Sequence, residues 1–186
     1  MTKLHIINDL KDQDKIQILK VPCEPFNFEN PPEDPLELTK NLIETMYDAN
    51  GIGLAANQVG LNYRLFVMRG TEDSGDFSCF NPRIVWLSDE HILLEEGCLS
   101  YPGVVVKIKR PRHVRLRFEA PSGETITHKF TGITARVIQH EMDHLNGVLF
   151  YNNANKYYRD RAFKNRHKYD VGQTQNILQK NISAYL

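Results

Sequence analysis

The sequence predicts an α+β fold in which short antiparallel β-strands pack around one central α-helix. Two observations carry this. Between Tyr63 and Phe130, apolar and polar residues alternate in short runs cut by turn-forming pairs, the pattern of half-buried strands. Then the period changes: Ile133, Val137, Ile138, Met142 and Leu145 recur at helical spacing. Strands that run together before a helix, rather than alternating with helices, argue for an α+β layout.

Residues 1 to 35 read as mostly irregular, because Pro22, Pro25, Pro31, Pro32 and Pro35 would interrupt any long element. Ile16 to Val21 is a short strand candidate within it. Asp34-Pro35-Leu36 reads as a helix start, with Asp34 as N-cap and Pro35 at the first helical position. Leu38, Leu42, Met46 and Ala49 continue at helical spacing, and Asn50-Gly51 is a natural stop.

Gly51-Ile-Gly-Leu-Ala-Ala-Asn-Gln-Val-Gly60 then reads as a tight, buried turn into a strand. It has neither the Gly-Lys-Ser/Thr ending of a phosphate loop nor the glycine spacing of a dinucleotide fold. Gln58 is its one polar side chain of any reach, and a buried Gln must find partners. Further strand candidates are Tyr63 to Arg69, Cys79 to Leu87, His91 to Glu96, Val104 to Lys109, His113 to Glu119 and Glu124 to Phe130. Lys107, Lys109, Arg110, Arg112, Arg115 and Arg117 alternate with apolar residues, as a solvated sheet face does.

With 186 residues, 41% hydrophobic and 25% charged, the chain suits one globular domain with a sizeable core. Zero net charge gives no overall drive toward nucleic acid or membrane. The charge is unevenly spread: residues 1 to 50 hold five Lys against ten Asp and Glu, and residues 152 to 186 hold seven Lys and Arg against two Asp. Three cysteines are an odd number, which argues against a disulfide framework and for a reducing compartment. Met1 to Lys15 is unlike a signal peptide, and no apolar run approaches membrane-spanning length. A cytoplasmic location is expected.

The central helix carries the chemistry. His140-Glu141-Met142-Asp143-His144 puts two imidazoles four residues apart, on one helical face, where both can reach one metal ion. Glu141 points off that line yet can still reach a water there. Gly147 stands where a helix C-cap is expected. A third ligand decides the class. One group of zinc proteases places a His where this chain has Phe150, and another uses a downstream Glu, of which there is none after Glu141. His167, Asp160 and Asp170 stay open downstream, without a motif around them. Upstream, Cys98 in Glu96-Gly97-Cys98-Leu99-Ser100 is the candidate, which departs from the standard proteases. Ligand preference alone would make a Cys-His-His site with an open position a zinc site.

Taken together, Gly51-Ile-Gly-Leu-Ala-Ala-Asn-Gln58, Glu96-Gly-Cys-Leu-Ser100 and Gln139-His-Glu-Met-Asp-His-Leu-Asn-Gly147 resemble, in type and order, the three signature motifs of the peptide deformylase family. The resemblance extends from about Ile16 to Phe150. It implies the deformylase-like fold and metal ligands Cys98, His140 and His144, with water in the fourth position. The implied metal is Fe(II), with nickel, cobalt or zinc as substitutes. The implied reaction removes the formyl group from the N-terminal methionine of new polypeptides and releases formate. Glu141 would move the proton, and the Leu99 N–H and Gln58 amide would hold the charge that develops on the formyl oxygen. The peptide would lie as an added strand against Ile52, Gly53 and Gly97, with Ile52, Leu94, Ile133, Val137 and His140 lining the methionine pocket. Glu96 and Arg110 are expected to form an ion pair beside the site.

The sequence also departs from the family pattern. Val105 falls where many members carry an Arg that holds the peptide backbone, and Tyr101 to Val106 is more apolar than in many relatives. Lys15 to Val21 stands where many members carry a Pro-Asp-x-x-Leu-Arg-like motif near the N-terminus. Residues 1 to 151 are read as a single catalytic domain and 152 to 186 as a basic C-terminal extension, helical or partly disordered. Tyr157, Tyr158, Arg159, Arg161, Phe163, Lys164 and Arg166 could form a basic, aromatic helix. A solvated tail is the preferred reading, and the alternative, implied by extensions in the family, is an approach to the ribosome. The rival readings are a metal-dependent endopeptidase and a non-catalytic ribosome-binding relative. The first lacks its usual third ligand here, and the second ought to have lost a ligand or Glu141.

Overall fold

The computed structural model describes residues 4–8, 12–70 and 75–166. The elements run α1 (Gln13–Ile18), α2 (Pro35–Asp48), β1 (Gly53–Ala55), a 3-10 turn (Ala56–Val59), β2 (Leu65–Met68), β3 (Phe77–Leu87), β4 (His91–Cys98), β5 (Tyr101–Pro111), β6 (His113–Glu119), β7 (Thr125–Thr131), α3 (Gly132–Leu145), a second 3-10 turn (Phe150–Asn153) and α4 (Lys156–Asn165). A five-stranded sheet has the order β1-β2-β3-β6-β7, and β4 and β5 form a separate hairpin; every pairing between these strands is antiparallel. The α+β expectation holds.

Alternation along the strands explains the layers. On one face of the sheet Ala55, Phe66, Met68, Val114, Leu116 and Phe118 meet Val137, Ile138, Met142 and Leu145 of α3. Side chains one residue out of step, Leu54, Leu65, Val67 and Phe80, meet Leu38, Leu42 and Met46 of α2 on the other face. The two helices thus clamp β1 and β2 between them. A third apolar cluster joins Val104, Val106 and Ile108 of β5 to Ile16, Leu19, Phe150 and Ala162. Helix α4 therefore packs on the hairpin through Ala162, Tyr158 and Phe163. Residues 167–186 lie outside the described part.

Local chemistry sets the helix ends. The Asp34 carboxylate accepts from the N–H groups of Leu36 (2.8 Å) and Glu37 (2.9 Å), and Pro35 opens α2, as expected. After α3, Gly147 has φ +68°, and a Cβ there would lie 2.6 Å from the Lys20 carbonyl oxygen. Only glycine satisfies both conditions at that helix end.

Three expectations need correction. Ile16 to Val21 is not a strand: α1 runs through its first half and a turn follows, with the Asp12 side chain accepting from the Lys15 N–H. The buried residues Ile16 and Leu19 are three apart, which is helical rather than alternating spacing. The stretch from Gly51 to Gly60 is a three-residue strand closed by a 3-10 turn, not a turn into a strand. Arg110 does not belong to a solvated face: it is buried, whereas Lys107, Lys109, Arg112, Arg115 and Arg117 are exposed. Among the described residues no helix is long and apolar enough to cross a membrane.

Candidate metal centre

Cys98 ends β4, and His140 and His144 lie one turn apart on α3. The fold brings them together across more than forty residues of chain, so that one ligand atom from each lies within 4.8 Å of the others. All three are buried. Cys98 Sγ is 3.1 Å from His144 Nε2. A soft sulfur and two imidazole nitrogens converging in a buried pocket fit one divalent transition-metal ion.

The imidazoles are held by different means. His140 Nδ1 sits 3.1 Å from Glu96 Oε2, which leaves Nε2 to face the ligand cluster. Burial pulls the His140 pKa down, but Cys98 and Glu96 beside it outweigh that and hold it above the ordinary imidazole value. Burial, reinforced by the His140 and Arg110 charges, pushes His144 well below it, so this ring is neutral and able to ligate. The carbonyl of His144 accepts from Asn57 Nδ2 at 2.7 Å, tying the helix to the 3-10 turn.

Glu96 is the hub of a buried network. Its Oε1 accepts from Arg110 Nε and Arg136 Nη1, both at 2.6 Å, and its Oε2 accepts from Arg110 Nη2 at 2.9 Å. Burial would raise the Glu96 carboxyl, yet the Arg110 charge and the His140 contact hold it far below the usual carboxylate range. Arg110 Nη2 also reaches Asp143 Oδ2 at 2.8 Å. Arg136 donates to the carbonyls of Ile108 (3.1 Å) and Ile92 (2.6 Å), pinning α3 to the β4–β5 hairpin. The Glu96–Arg110 pair was legible in sequence; the parts played by Arg136 and Asp143 were not. Their helical positions fit the buried face, but a buried cation is recognisable only once its partner is in place.

Glu141 is fully buried beside the ligands, and its Oε2 has no hydrogen-bond partner. Burial, the leading cause, pushes its pKa up to about 7. Gly53 explains how it fits: a Cβ at that position would lie 2.5 Å from Glu141 Oε1 and 2.8 Å from Val137 Cγ1. Gln58 has the partners a buried amide requires. Its Oε1 accepts from the Ala55 N–H at 2.9 Å, and its Nε2 donates to Ser100 Oγ at 3.1 Å and lies 3.5 Å from Cys98 Sγ. Leu99 occupies the turn between β4 and β5, half-buried, immediately after the ligand Cys98.

The remaining candidates surround this centre. Strand β1 is an edge of its sheet. The Ile52 carbonyl accepts from the Arg69 N–H at 3.0 Å, and so faces β2. Alternation then turns the backbone groups of Gly53 outward to the open edge. The Ile52 side chain packs in the same apolar cluster as Val137. Val137 is buried, and Ile133, one turn earlier on α3, is half-buried. Leu94 is buried opposite Ile108 in the hairpin. Gly97 falls at the irregularity in the β4–β5 ladder between Glu96 and Cys98. His167 and Asp170, open as downstream ligands, lie outside the described residues, and Asp160 is exposed on α4. Among the described residues, Cys98 is the one that joins the two histidines in a cluster able to hold a metal ion.

A Cys-His-His cluster with a buried carboxylate beside it, set in an α+β fold, fits the class of metal-dependent hydrolases. Comparison with known proteins narrows the class. The polypeptide deformylase family model matches residues 7–160. A peptide deformylase of Wolbachia pipientis wMel is 43% identical over 143 residues, covering 71% of this chain and 80% of that protein. The crystal structure of peptide deformylase from Thermotoga maritima superposes with a TM-score of 0.74 at 34% identity, covering 83% of this chain and 99% of that one. A plant peptide deformylase gives 0.79 at 31%, covering 90% and 89%. The chain belongs to the peptide deformylase family. It is a metal-dependent hydrolase that removes the N-formyl group from nascent polypeptides.

Proposed function

We propose that this enzyme acts on N-formyl-methionyl chain ends, releasing formate and a free amine, with Cys98, His140 and His144 holding Fe(II). The observation that carries this is the convergence of the three ligand atoms within 4.8 Å, with Glu141 buried and unpartnered alongside. Nickel, cobalt or zinc fit the same donor set. When bound, the metal supplies a Lewis acid and a water that ionises near neutral pH.

The protein's own groups do the rest. Glu141 takes a proton from the attacking water through Oε2 and delivers it to the departing amine nitrogen; a carboxyl poised near neutrality suits both transfers. As the formyl carbon becomes tetrahedral, its oxygen gains charge. The Leu99 N–H and Gln58 Nε2 donate to that oxygen. Gln58 is suited to this because its Oε1 is already committed to Ala55, which keeps Nε2 turned toward the ligands.

The peptide adds as a strand along the open edge of β1, using the outward backbone groups of Gly53 and the Gly97 backbone. Ile52, Leu94, Ile133 and Val137 line the methionine pocket. Residues 1–151 form the catalytic unit, and 152–186 an extension whose basic residues approach the ribosome, with α4 as its docked first part. A cytoplasmic location fits the three free, buried cysteines.

The test is formate release from N-formyl-Met-Ala-Ser by protein loaded anaerobically with Fe(II), with the N-acetyl peptide as control. Release from the formyl peptide alone is expected. Glu141→Ala should keep its metal and lose about 100-fold or more in turnover; near-normal turnover in that metal-loaded variant would remove the assignment of Glu141.

A further inference from the structure

The outward face of β3, β6 and β7 carries cations that no described carboxylate neutralises. Arg115 and Arg117 project from β6 between the buried Val114, Leu116 and Phe118. The ladder sets Arg117 opposite Arg83 of β3, and Arg115 between Trp86 of β3 and Lys129 of β7. All four cations are exposed. Among the described residues none of them makes an ion pair, whereas the neighbouring Arg110 and Arg112 each do. Like charges placed directly opposite across a ladder repel. That repulsion stands unrelieved in both the Arg83–Arg117 and Arg115–Lys129 pairs.

Two further features point to the ligand. Trp86, the single tryptophan of the sequence, is 43% exposed in the middle of this group, with Lys129 Nζ 5.5 Å from its ring centroid. Beside it, Arg83 and Arg117 wall a cleft of about 310 Å³. Glu119, the carboxylate at its rim, accepts from Asn81 Nδ2 at 2.6 Å, a neutral donor that leaves its charge in place. The patch is therefore cationic by excess: four cations against this one carboxylate, which forms no ion pair with them among the described residues. The apolar cover that α2 and Phe26 lay over this side of the sheet ends at Phe80, short of the patch.

We propose that this face binds single-stranded RNA, with phosphates held by Arg83, Arg115, Arg117 and Lys129 and one base stacked on Trp86. An aromatic ring among cations on an open sheet matches a strand whose bases are free to stack. A lipid surface is the rival occupant, since Val85 and Leu87 are exposed beside Trp86. It fits less well because the outward positions of β7 are threonines around Lys129 and the four cations break up any continuous apolar face for insertion. The proposal is independent of the deformylation chemistry on the opposite side of the sheet.

Because Trp86 is the only tryptophan, its emission reports the site directly. Full-length protein is titrated with a short unlabelled oligoadenylate, and separately with vesicles of phosphatidylserine and phosphatidylcholine. The expected result is saturable quenching by the RNA, weakening with salt at a log–log slope of about −3 for four neutralised phosphates. Arg115→Gln and Arg117→Gln should each reduce that slope by about 0.7, with hydrolysis of the formyl tripeptide unchanged. Lys129→Gln should act alike, so the reading does not hinge on one variant's stability. Absence of quenching at low salt, quenching by vesicles alone, or binding insensitive to all three substitutions yet abolished by Arg161→Gln and Lys164→Gln on α4 would each overturn the proposal.

Discussion

Glu96 Oε2 on β4 and His140 Nδ1 on α3 lie 3.1 Å apart, and the same carboxylate is gripped by Arg110 and Arg136. One side chain therefore orients a ligand histidine and locks the hairpin that carries Cys98 to the helix that carries His140 and His144. A buried charge with this many donors contributes geometry first, and net stability only while every partner stays in place.

Replacing Glu96 by Gln should lower metal affinity about 10- to 100-fold, because the single amide oxygen cannot serve both guanidinium groups and His140 as well. The same change leaves two buried guanidinium groups short of a partner, at a cost of about 3–5 kcal/mol. Competition with a chelator and denaturant unfolding read the two effects separately. Unchanged metal affinity would show that the helix alone orients His140.

The pH dependence of the metal-free protein follows from Glu141. Its folded pKa, raised to about 7, lies above that of the unfolded chain, so the native state binds a proton more tightly there. The Glu141 contribution to stability then falls as pH rises from about 4.5 to about 7 and is flat above, a loss on the order of 3 kcal/mol at about 1.4 kcal/mol per pKa unit. Glu141→Gln should therefore stabilise the chelator-treated protein at pH 8 and change little at pH 5. Equal effects at both pH values would contradict the burial argument. Glu96 has the opposite sign: its depressed carboxyl stabilises above the unfolded pKa and gives this up only in strong acid.

Gly53→Ala should disable the enzyme without unfolding it. The new methyl group meets Glu141 Oε1 at 2.5 Å and Val137 Cγ1 at 2.8 Å, so the carboxylate or the helix must move. Overpacking of this kind costs about 1–3 kcal/mol. Formate release should drop while metal content is kept. Normal turnover in Gly53→Ala would mean that Glu141 has room the structure does not give it.

Gln58→Leu tests the amide donor. The expected cost is about 2.7–4 kcal/mol of barrier, read mainly in kcat rather than KM, because the bond matters most once the formyl oxygen is charged. A rise in KM alone would reassign Gln58 to a structural bridge between Ala55 and Ser100.

Much of this was visible in the sequence where the cause is local. Helix α2 starts at Pro35 because Asp34 can cap the N–H groups of the next turn, a fact contained in four residues. Strands β6 and β7 were legible because alternation over seven residues leaves little choice of period. Ile16 to Val21 reads as a strand because a six-residue segment fits either period, and only the burial of Ile16 and Leu19 in the cluster with β5 selects the helical turn.

The sequence by itself marked the candidate donors. His140 and His144 share a helical face through spacing alone, and Cys98 and Gln58 are marked by their motifs. Only the tertiary structure decided what surrounds them. It placed Arg136 and Asp143 in the Glu96–Arg110 network and aimed the Gln58 amide at Cys98. It also pressed Gly53 against Glu141 and left Arg83, Arg115, Arg117 and Lys129 with no ion pair among the described residues on an open face. The reason is physical. A periodicity is encoded within one segment, whereas a buried charge, a close approach or an unpaired cation is defined by atoms that arrive from elsewhere in the chain.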